Sequence, residues 1–204
     1  NQPAADAAGL APVAPLLDSI RSARDAAGVQ AALRKLHDLS IHAGFAFGSM
    51  MSFPKPADFV GNIGAGALGL PSREHYLGKD PKWEEARAKY QARVTELLKL
   101  AGAKDAEAKA GAEATLAMET RLAEASLDAD TAADPAKTNR PTTFAELGTL
   151  APHVDWARYF DEAHVAKAPL NLSEPKLLAA FDKELAKTPV AAWRAFLTVR
   201  LMET

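Results

Sequence analysis

The sequence contains no cysteine, which excludes disulfides and metal sites built on thiolates. It also lacks the G-x-S-x-G motif that places a serine nucleophile on a strand-to-helix turn. Covalent catalysis through a thiol, or through a serine presented in that way, is therefore excluded. The absence of cysteine leaves the cellular compartment undecided.

The sequence also has no large excess of either charge sign and no long apolar run. The 24 basic and 26 acidic side chains give a net charge of −2 at pH 7. Nucleic acids and anionic membrane surfaces are bound by clustered Lys and Arg, so neither is an expected partner. No apolar run approaches the roughly 20 residues of a membrane-spanning helix. We therefore expect no nucleic-acid partner and no membrane contact by this segment.

The chain has enough apolar material for a real core. Of its 204 residues, 48% are hydrophobic and 25% are charged, which is typical of a globular domain. We expect a loose N-terminal segment over residues 1–10 and one domain over residues 11–204. Because the chain begins at Asn1 without a targeting segment, we expect a processed protein or an excised piece.

Apolar residues recur at three-to-four spacing, so the predicted fold class is mainly α, a multi-helix lobe. Residues 128–141 are expected to form a polar loop. The last helix shows no stop signal before Thr204, and Leu197 and Leu201 continue its apolar stripe. This favours a chain cut inside or just after a helix, with one face left unsatisfied. Four helices are expected over residues 16–26, 29–42, 81–101 and 105–127, with Gly44 stopping the second and Gly102 the third. Four more are expected to start at a capping box of Thr143 and Glu146, at Asp155, at 173–175 and at 188–189.

One small β-hairpin is predicted near residues 43–64. The apolar run around Phe45 and Phe47 alternates in part, residues 53–57 with two prolines interrupt it, and a second apolar stretch follows at 59–63. A buried loop is the alternative interpretation.

Residues 64–69 match the pattern G-x-G-x-x-G of a dinucleotide-binding loop. Such a loop needs a strand before the glycines and a helix that opens on them. Here the glycines lead into Pro71, and no strand-helix alternation follows. A turn is the favoured interpretation, in which Pro71 fixes φ and Ser72 caps a short helix beginning at Arg73.

Metal-dependent peptide hydrolysis needs two histidines four residues apart, a carboxylate ligand and a glutamate base. His37 and His42 come nearest, but they lie five residues apart and so roughly 140° apart around a helix. Glu124 and Asp128 have E-x-x-x-D spacing without a histidine motif to complete. We therefore nominate no catalytic, cofactor-binding or metal-binding residue. The other histidines are isolated: His75, His153 and His164.

Residues 66–80 read Gly-Ala-Leu-Gly-Leu-Pro-Ser-Arg-Glu-His-Tyr-Leu-Gly-Lys-Asp. This run, here called the signature segment, resembles the Gly-Leu-Gly-Leu-Pro-(Ser/Asp)-Arg-(Glu/Asp)-Tyr-Tyr-Leu signature of the neprilysin / endothelin-converting-enzyme family of zinc endopeptidases. It belongs to the non-catalytic, N-terminal half of that family, and His75 stands where the first Tyr is usual. Ala133 also stands where the family usually has Arg. Further blocks resemble the family in the same order: 118–126, 134–139, 150–160, 171–175 and 188–197.

The resemblance implies a mostly helical lobe that gates the chamber of a two-lobed enzyme acting on peptides. Its partners are then the catalytic lobe of the same polypeptide and peptide substrates. Zinc is implied for the full-length parent and not for this segment, which is expected to be inactive alone. The family's H-E-x-x-H, E-x-x-x-D and Asn-Ala-(Tyr/Phe) segments are expected beyond Thr204. Family members suggest an extracytoplasmic location, although cytoplasmic relatives exist.

Two other functions stay open. A stand-alone helical module that binds a protein or peptide would also lack a metal site. A helical enzyme that uses glutamates and an added metal is the third hypothesis. The reading frame beyond position 204 separates the first two, because only the peptidase requires H-E-x-x-H there.

Overall fold

A computed structural model describes residues 9–52, 55, 58–163 and 169–204. Within these ranges the chain forms eleven helices and four short strands, which confirms the mainly α fold class. Most of the expected loose N-terminal segment, most of the turn at 53–57 and His164 lie outside the described residues.

The helices account for most of the described chain. In chain order they are α1 (Ala14–Ser22), α2 (Ala26–Asp38), α3 (Arg73–Leu77), α4 (Pro81–Leu100), α5 (Asp105–Ala125), α6 (Ala129–Ala132), α7 (Pro135–Thr138), α8 (Phe144–Leu150), α9 (Trp156–Glu162), α10 (Pro175–Lys187) and α11 (Val190–Met202). The strands are β1 (Phe45–Met51), β2 (Phe59–Ala65), β3 (Pro141–Thr142) and β4 (Leu170–Leu172).

Side-chain caps fix several helix starts where the sequence predicted them. The Thr143 hydroxyl accepts from the Glu146 N–H at 3.2 Å, and the Glu146 carboxylate accepts from the Thr143 N–H at 2.8 Å. This reciprocal pair satisfies two backbone donors at the start of α8. Asp155 caps α9 by accepting from the Arg158 N–H at 3.1 Å. Both predicted caps are confirmed.

The predicted polar loop at 128–141 is wrong in part. It contains the one-turn helices α6 and α7. Asp128 accepts from the Thr131 N–H at 2.8 Å, and Asp134 accepts from the Ala136 N–H at 2.9 Å. Each aspartate thus nucleates a single turn, which is too short to show helical periodicity in the sequence.

The sheet has the strand order β1-β2-β4-β3. Strands β1 and β2 form the predicted antiparallel hairpin, with Phe45 opposite Ala65 and Met51 opposite Phe59. Strand β4 pairs parallel to β2 and antiparallel to β3. The Asn171 amide of β4 donates to Asn62 Oδ1 at 2.7 Å and so joins the two halves of the sheet.

The main core lies between the sheet and helices α1, α2, α5, α10 and α11. A second cluster joins α4, α5 and α11, where the small residues of α5 allow close helix approach. Helix α11 is buried on most of its surface: Leu197 is 1% exposed and Leu201 is 2% exposed. The expectation that its stripe leaves an unsatisfied face is therefore wrong, because helices of this chain cover it. No helix among the described residues is long and apolar enough to cross a bilayer.

Two helices end in the same hydrogen-bond pattern with different residues in the left-handed position. After α4, the expected stop Gly102 has φ 93°, and the Ala103 N–H donates to the Leu98 carbonyl at 2.9 Å. After α2, Ser40 takes this role with φ 61°, and the Ile41 N–H donates to the Leu36 carbonyl at 2.9 Å. Helix α2 therefore ends at Asp38, earlier than predicted, and Gly44 lies in the turn to β1 instead of stopping the helix.

This comparison predicts opposite effects of two substitutions. Ser40→Gly removes the steric cost of left-handed backbone at a side chain and should raise the free energy of unfolding by about 0.5–1 kcal/mol. Gly102→Ala introduces that cost, and an added Cβ meets only the end of the Arg21 side chain at 3.5 Å, so a loss of about 1 kcal/mol is expected. Urea denaturation measures both; a stability loss in Ser40→Gly would contradict the assignment.

Candidate functional site

The described residues contain no group of three or more His, Asp or Glu side chains placed to hold a metal ion. A protein zinc site uses three or four such ligands at short distance. The residues singled out in the sequence are therefore best understood one by one, from their contacts.

The glycines of the G-x-G-x-x-G match serve close packing. Gly64 lies in β2, and Gly66 and Gly69 lie in the loop that leads to the five-residue helix α3. A Cβ at Gly66 would lie 2.6 Å from the His42 carbonyl oxygen, and one at Gly69 would overlap the Tyr90 ring. The helix does not open on the glycines, so this is the packed turn that the sequence predicted.

His37 is a buried residue of α2 whose two ring nitrogens are both engaged. Nε2 lies 3.1 Å from the Ala43 carbonyl oxygen, which can only accept, so Nε2 carries the proton. Nδ1 lies 2.8 Å from the Tyr159 hydroxyl and accepts from it. Burial lowers the pKa of His37 to about 4, and the hydrogen bond to Ala43 only partly opposes this. His37 therefore has no free nitrogen for a metal.

The other candidates are also held in structural contacts. His42 lies edge-on to His37 with ring centroids 5.8 Å apart. His153 Nδ1 lies 2.8 Å from the Asp182 carboxylate, which also accepts the His153 N–H at 2.8 Å. Glu124 is the penultimate residue of α5, and Asp128 caps α6, which the sequence did not predict.

Ser72, Glu74 and His75 come together at the start of α3. The Ser72 hydroxyl donates to Glu74 Oε2 at 2.6 Å and lies 2.9 Å from His75 Nδ1. In a catalytic triad the histidine bridges the serine and the acid, whereas here the serine bridges the other two. The hydrogen bond from Ser72 lowers the pKa of the Glu74 carboxyl. The trio lies at a helix start where only Glu74 is fully exposed. The Ser72 carbonyl accepts the His75 N–H at 3.1 Å, but the Ser72 hydroxyl makes no hydrogen bond to the backbone of α3, contrary to the predicted cap.

A buried charge network joins the signature segment to three helices. Glu119 of α5 is fully buried and accepts from the Tyr76 hydroxyl at 2.9 Å and the Tyr90 hydroxyl at 3.1 Å. Arg200 of α11, with a side chain 4% exposed, lies 3.3 Å from the same carboxylate. Tyr76 also accepts the Leu70 N–H at 2.7 Å. The carboxylate thus connects the signature segment, α4, α5 and α11.

The protonation states of this network follow from its donors. Burial raises the pKa of the Glu119 carboxyl, while the Arg200 guanidinium and the two hydroxyls oppose the shift. Burial also raises the pKa of Tyr76 and of Tyr90, so both phenols stay protonated and donate. Two hydroxyl donors and a guanidinium 3.3 Å away match an ionised carboxylate, which only accepts.

Two arginines anchor the backbone of the signature segment. Arg87 of α4 donates to the carbonyl oxygens of His75 at 2.9 Å and of Gly78 at 3.1 Å. Arg73 donates to the Ala123 carbonyl at the end of α5 at 3.0 Å. The bonds from Arg87 satisfy carbonyl groups at the C-terminal end of α3, and the bond from Arg73 ties the start of α3 to the end of α5.

Sequence reasoning missed Glu119 and Arg200. Their signal was present, because each is a charged residue among apolar neighbours on a helix that packs in the core. Buried charges are rare unless paired, so an acid and a base in two core helices predict one another.

The structure also has an open groove beside the hairpin. Its volume is about 450 Å³, and it is lined on the hairpin side by Phe47, Ser49 and Phe59. The Tyr159 ring and the ion-paired Arg34 and Asp38 form the opposite side. It contains aromatic surface and one paired set of charges, and no group of potential metal ligands.

Comparisons with known proteins identify the relatives of this chain. The model of the family described as Peptidase family M13, in its N-terminal part, matches residues 1–204. Human endothelin-converting enzyme 1 is 32% identical over 118 residues, which are 57% of this chain and 15% of that protein. Mouse endothelin-converting enzyme-like 1 is 32% identical over 106 residues, or 51% of this chain and 13% of that protein.

Solved structures show the same fold. The Mycobacterium tuberculosis zinc metalloprotease ZMP1, in complex with an inhibitor, superposes with a TM-score of 0.87 at 25% identity, over 97% of this chain and 30% of that one. PepO from Lactobacillus rhamnosis HN001 has a TM-score of 0.77 at 18% identity, over 96% of this chain and 31% of that one, and shows the fold alone. The chain therefore spans less than a third of these relatives. The resemblance seen in the signature segment is confirmed.

Removing one side of the buried charge pair should be costly. Glu119→Leu leaves the buried Arg200 guanidinium with Glu203 as its remaining acidic partner and removes the acceptor of the Tyr76 and Tyr90 hydroxyls, so we expect a loss of about 2–4 kcal/mol in the free energy of unfolding. The double variant Glu119→Leu/Arg200→Met should recover a large part of this loss, since no buried charge is left unpaired. Urea denaturation provides the measurement. The exposed Glu85–Lys89 pair gives the control, because Glu85→Gln should leave the urea midpoint unchanged. Additive effects of the two substitutions would show that Glu119 and Arg200 are not coupled.

His37 should make the fold sensitive to acid. Its pKa is about 4 in the folded chain against 6.5 ordinarily, so the unfolded chain binds the additional proton between these values. The contribution of neutral His37 to the free energy of unfolding is complete above pH 6.5 and falls by about 3 kcal/mol as the pH drops to about 4. Urea midpoints across this range, compared between the parent chain and His37→Gln, isolate the effect. The variant should show the shallower pH dependence; identical slopes would mean that His37 titrates normally.

Proposed function

Because this chain belongs to peptidase family M13, we propose that it is part of a zinc-dependent endopeptidase that cleaves peptides. In that enzyme it forms most of the helical lobe that controls access to the catalytic chamber. The observation that carries the proposal is the family match over residues 1–204 to the family's N-terminal part, together with a fold of TM-score 0.87 to a zinc metalloprotease.

The arrangement of side chains supports a scaffolding role for this segment. The histidines and acids that resemble catalytic motifs are engaged in caps, turns and buried hydrogen bonds, as His37 and Asp128 show. No donor set among the described residues fits zinc. We therefore assign no step of peptide hydrolysis to this chain, and place the zinc ligands in a catalytic lobe of the same polypeptide.

A gating lobe must keep its shape while the catalytic lobe covers only part of its surface. The buried network around Glu119 and Arg200 meets this need, because it ties the signature segment to three helices within the chain. Such a lobe acts by exclusion: flexible peptides pass, and folded proteins do not. Peptide substrates and the partner lobe are the corresponding binding partners.

The alternative is a stand-alone helical module that binds a protein or peptide and has no catalytic half. The burial of Leu197 and Leu201 keeps this alternative open, because it removes the argument from an unsatisfied last helix. The reading frame after Thr204 decides: an H-E-x-x-H motif downstream supports the peptidase, and an immediate stop codon supports the module.

The proposal predicts that the purified 204-residue chain is inactive. Zinc content measured by mass spectrometry should be far below one equivalent, and an internally quenched peptide should not be cleaved, with or without added zinc. A polypeptide that continues into H-E-x-x-H should cleave the same peptide, and chelation should stop it. Tight binding of one zinc by the short chain, with cleavage that a chelator abolishes, would overturn the proposal.

A further inference from the structure

Strand β1 lies at an edge of the sheet, since its neighbour in the strand order β1-β2-β4-β3 is β2 alone. The hydrogen-bond pattern shows which of its backbone groups face outward. The Ser52 N–H donates to the Asp58 carbonyl at 2.8 Å, so even-numbered positions of the hairpin exchange the β1–β2 bonds. On β2 the odd-numbered positions point the other way, and Ile63 accepts the Ser173 N–H at 2.9 Å.

The odd-numbered residues of β1 therefore direct N–H and C=O groups away from β2. For Phe47, Ser49 and Met51 these groups have no partner among the described residues. Ser49 and Met51 are exposed. Together the three residues present a row of unpaired donors and acceptors spaced as in a strand.

Strand β1 itself carries none of the residues that normally protect an edge strand. Residues 45–51 read Phe-Ala-Phe-Gly-Ser-Met-Met, with no charge and no proline. Their register with β2 runs without a bulge from Phe45 opposite Ala65 to Met51 opposite Phe59. Proteins usually blunt an exposed edge with Lys, Pro or a bulge, because otherwise it pairs with another chain. An uncharged, regular edge is the kind that accepts a further strand.

The surroundings suit an uncharged, apolar strand. Met51 is 61% exposed and Phe59 67% exposed; they form a cross-strand pair, and Phe59 lines the groove of about 450 Å³. The charges lining that groove are Arg34, paired with Asp38. His37 also lines the groove, and burial lowers its pKa to about 4. The groove thus offers apolar contact without a net field for a charged side chain.

We propose that the free edge of β1 binds an extended, uncharged peptide segment by strand addition, and that the groove receives its apolar side chains. This deepens the proposed function and rests on it: the segment would be part of a peptide substrate held on the lobe before cleavage elsewhere. A second copy of this chain is the less suitable occupant. The odd-numbered side chains of its own β1 include Phe45, which is already buried, so it has little to place in the groove.

The test uses this chain and a blocked seven-residue peptide of alternating Thr and Val, the length of β1. Titration followed by amide NMR should shift the signals of Phe47, Ser49 and Met51 and slow their hydrogen exchange. The same peptide N-methylated at every position cannot donate to the edge from either side, and should bind at least about tenfold more weakly. Binding that N-methylation does not weaken would overturn strand addition.

The matched variants are Ser49→Pro and Met50→Ala. Proline removes the outward N–H of Ser49 and leaves the β1–β2 bonds of its neighbours, which edge strands tolerate. It should weaken binding about tenfold or more, whereas Met50→Ala, which changes a side chain outside the groove lining, should leave binding and the circular dichroism spectrum unchanged. If Ser49→Pro fails to fold, the N-methylated peptide decides alone.

The other possible results of these experiments also test the proposed edge site. A failure of the peptide to bind would refute the proposed edge site but would leave the zinc and cleavage results untouched. Sedimentation that shows a dimer through β1, with no peptide binding, would assign the edge to a second copy. Amides of β1 that are protected without peptide in a longer parent polypeptide would assign it to another segment of that chain.

Discussion

The fold depends most on one buried carboxylate. Glu119 receives two tyrosine hydroxyls and faces Arg200, and through Tyr76 it reaches the backbone of the signature segment at Leu70. A buried ion pair contributes less to net stability than its geometry suggests, because both charges lose water. Its effect here is specificity: four parts of the chain have to meet for the carboxylate to be satisfied. This explains why a short, glycine-rich segment has a defined structure.

Local signals predicted much of the fold. Helix α4 begins at Pro81 and is followed by Gly102, and α8 carries its capping box, because proline, glycine and capping residues act on their own neighbours. The hairpin was predicted from alternation. Strands β3 and β4 were not, since two and three residues show no period and their pairing joins distant segments. The end of α2 was missed because the left-handed residue that ends it is Ser40, whereas Gly44, which also has positive φ, lies further on in the turn to β1.

Local sequence patterns informed some of the candidate sites and missed others. The spacing argument placed His37 and His42 on one helix, but α2 ends at Asp38 and His42 lies beyond it. What the structure shows for His37 is that both of its ring nitrogens are engaged. The buried pair of Glu119 and Arg200 escaped prediction because its two members lie on different helices, α5 and α11. The free edge of β1 escaped it as well, since strand order depends on which distant strand pairs with β2. Tertiary pairing, and not local pattern, decides these features.

The central claim is that this lobe folds around its own side chains and holds no metal. The most direct measurement is the melting temperature of the purified chain in chelator and again with zinc in excess. A ligand that binds only the native state raises the melting temperature, so the account predicts the same value in both conditions. A melting temperature that rises with zinc in a saturable way would show a native metal site in this chain and would contradict the account.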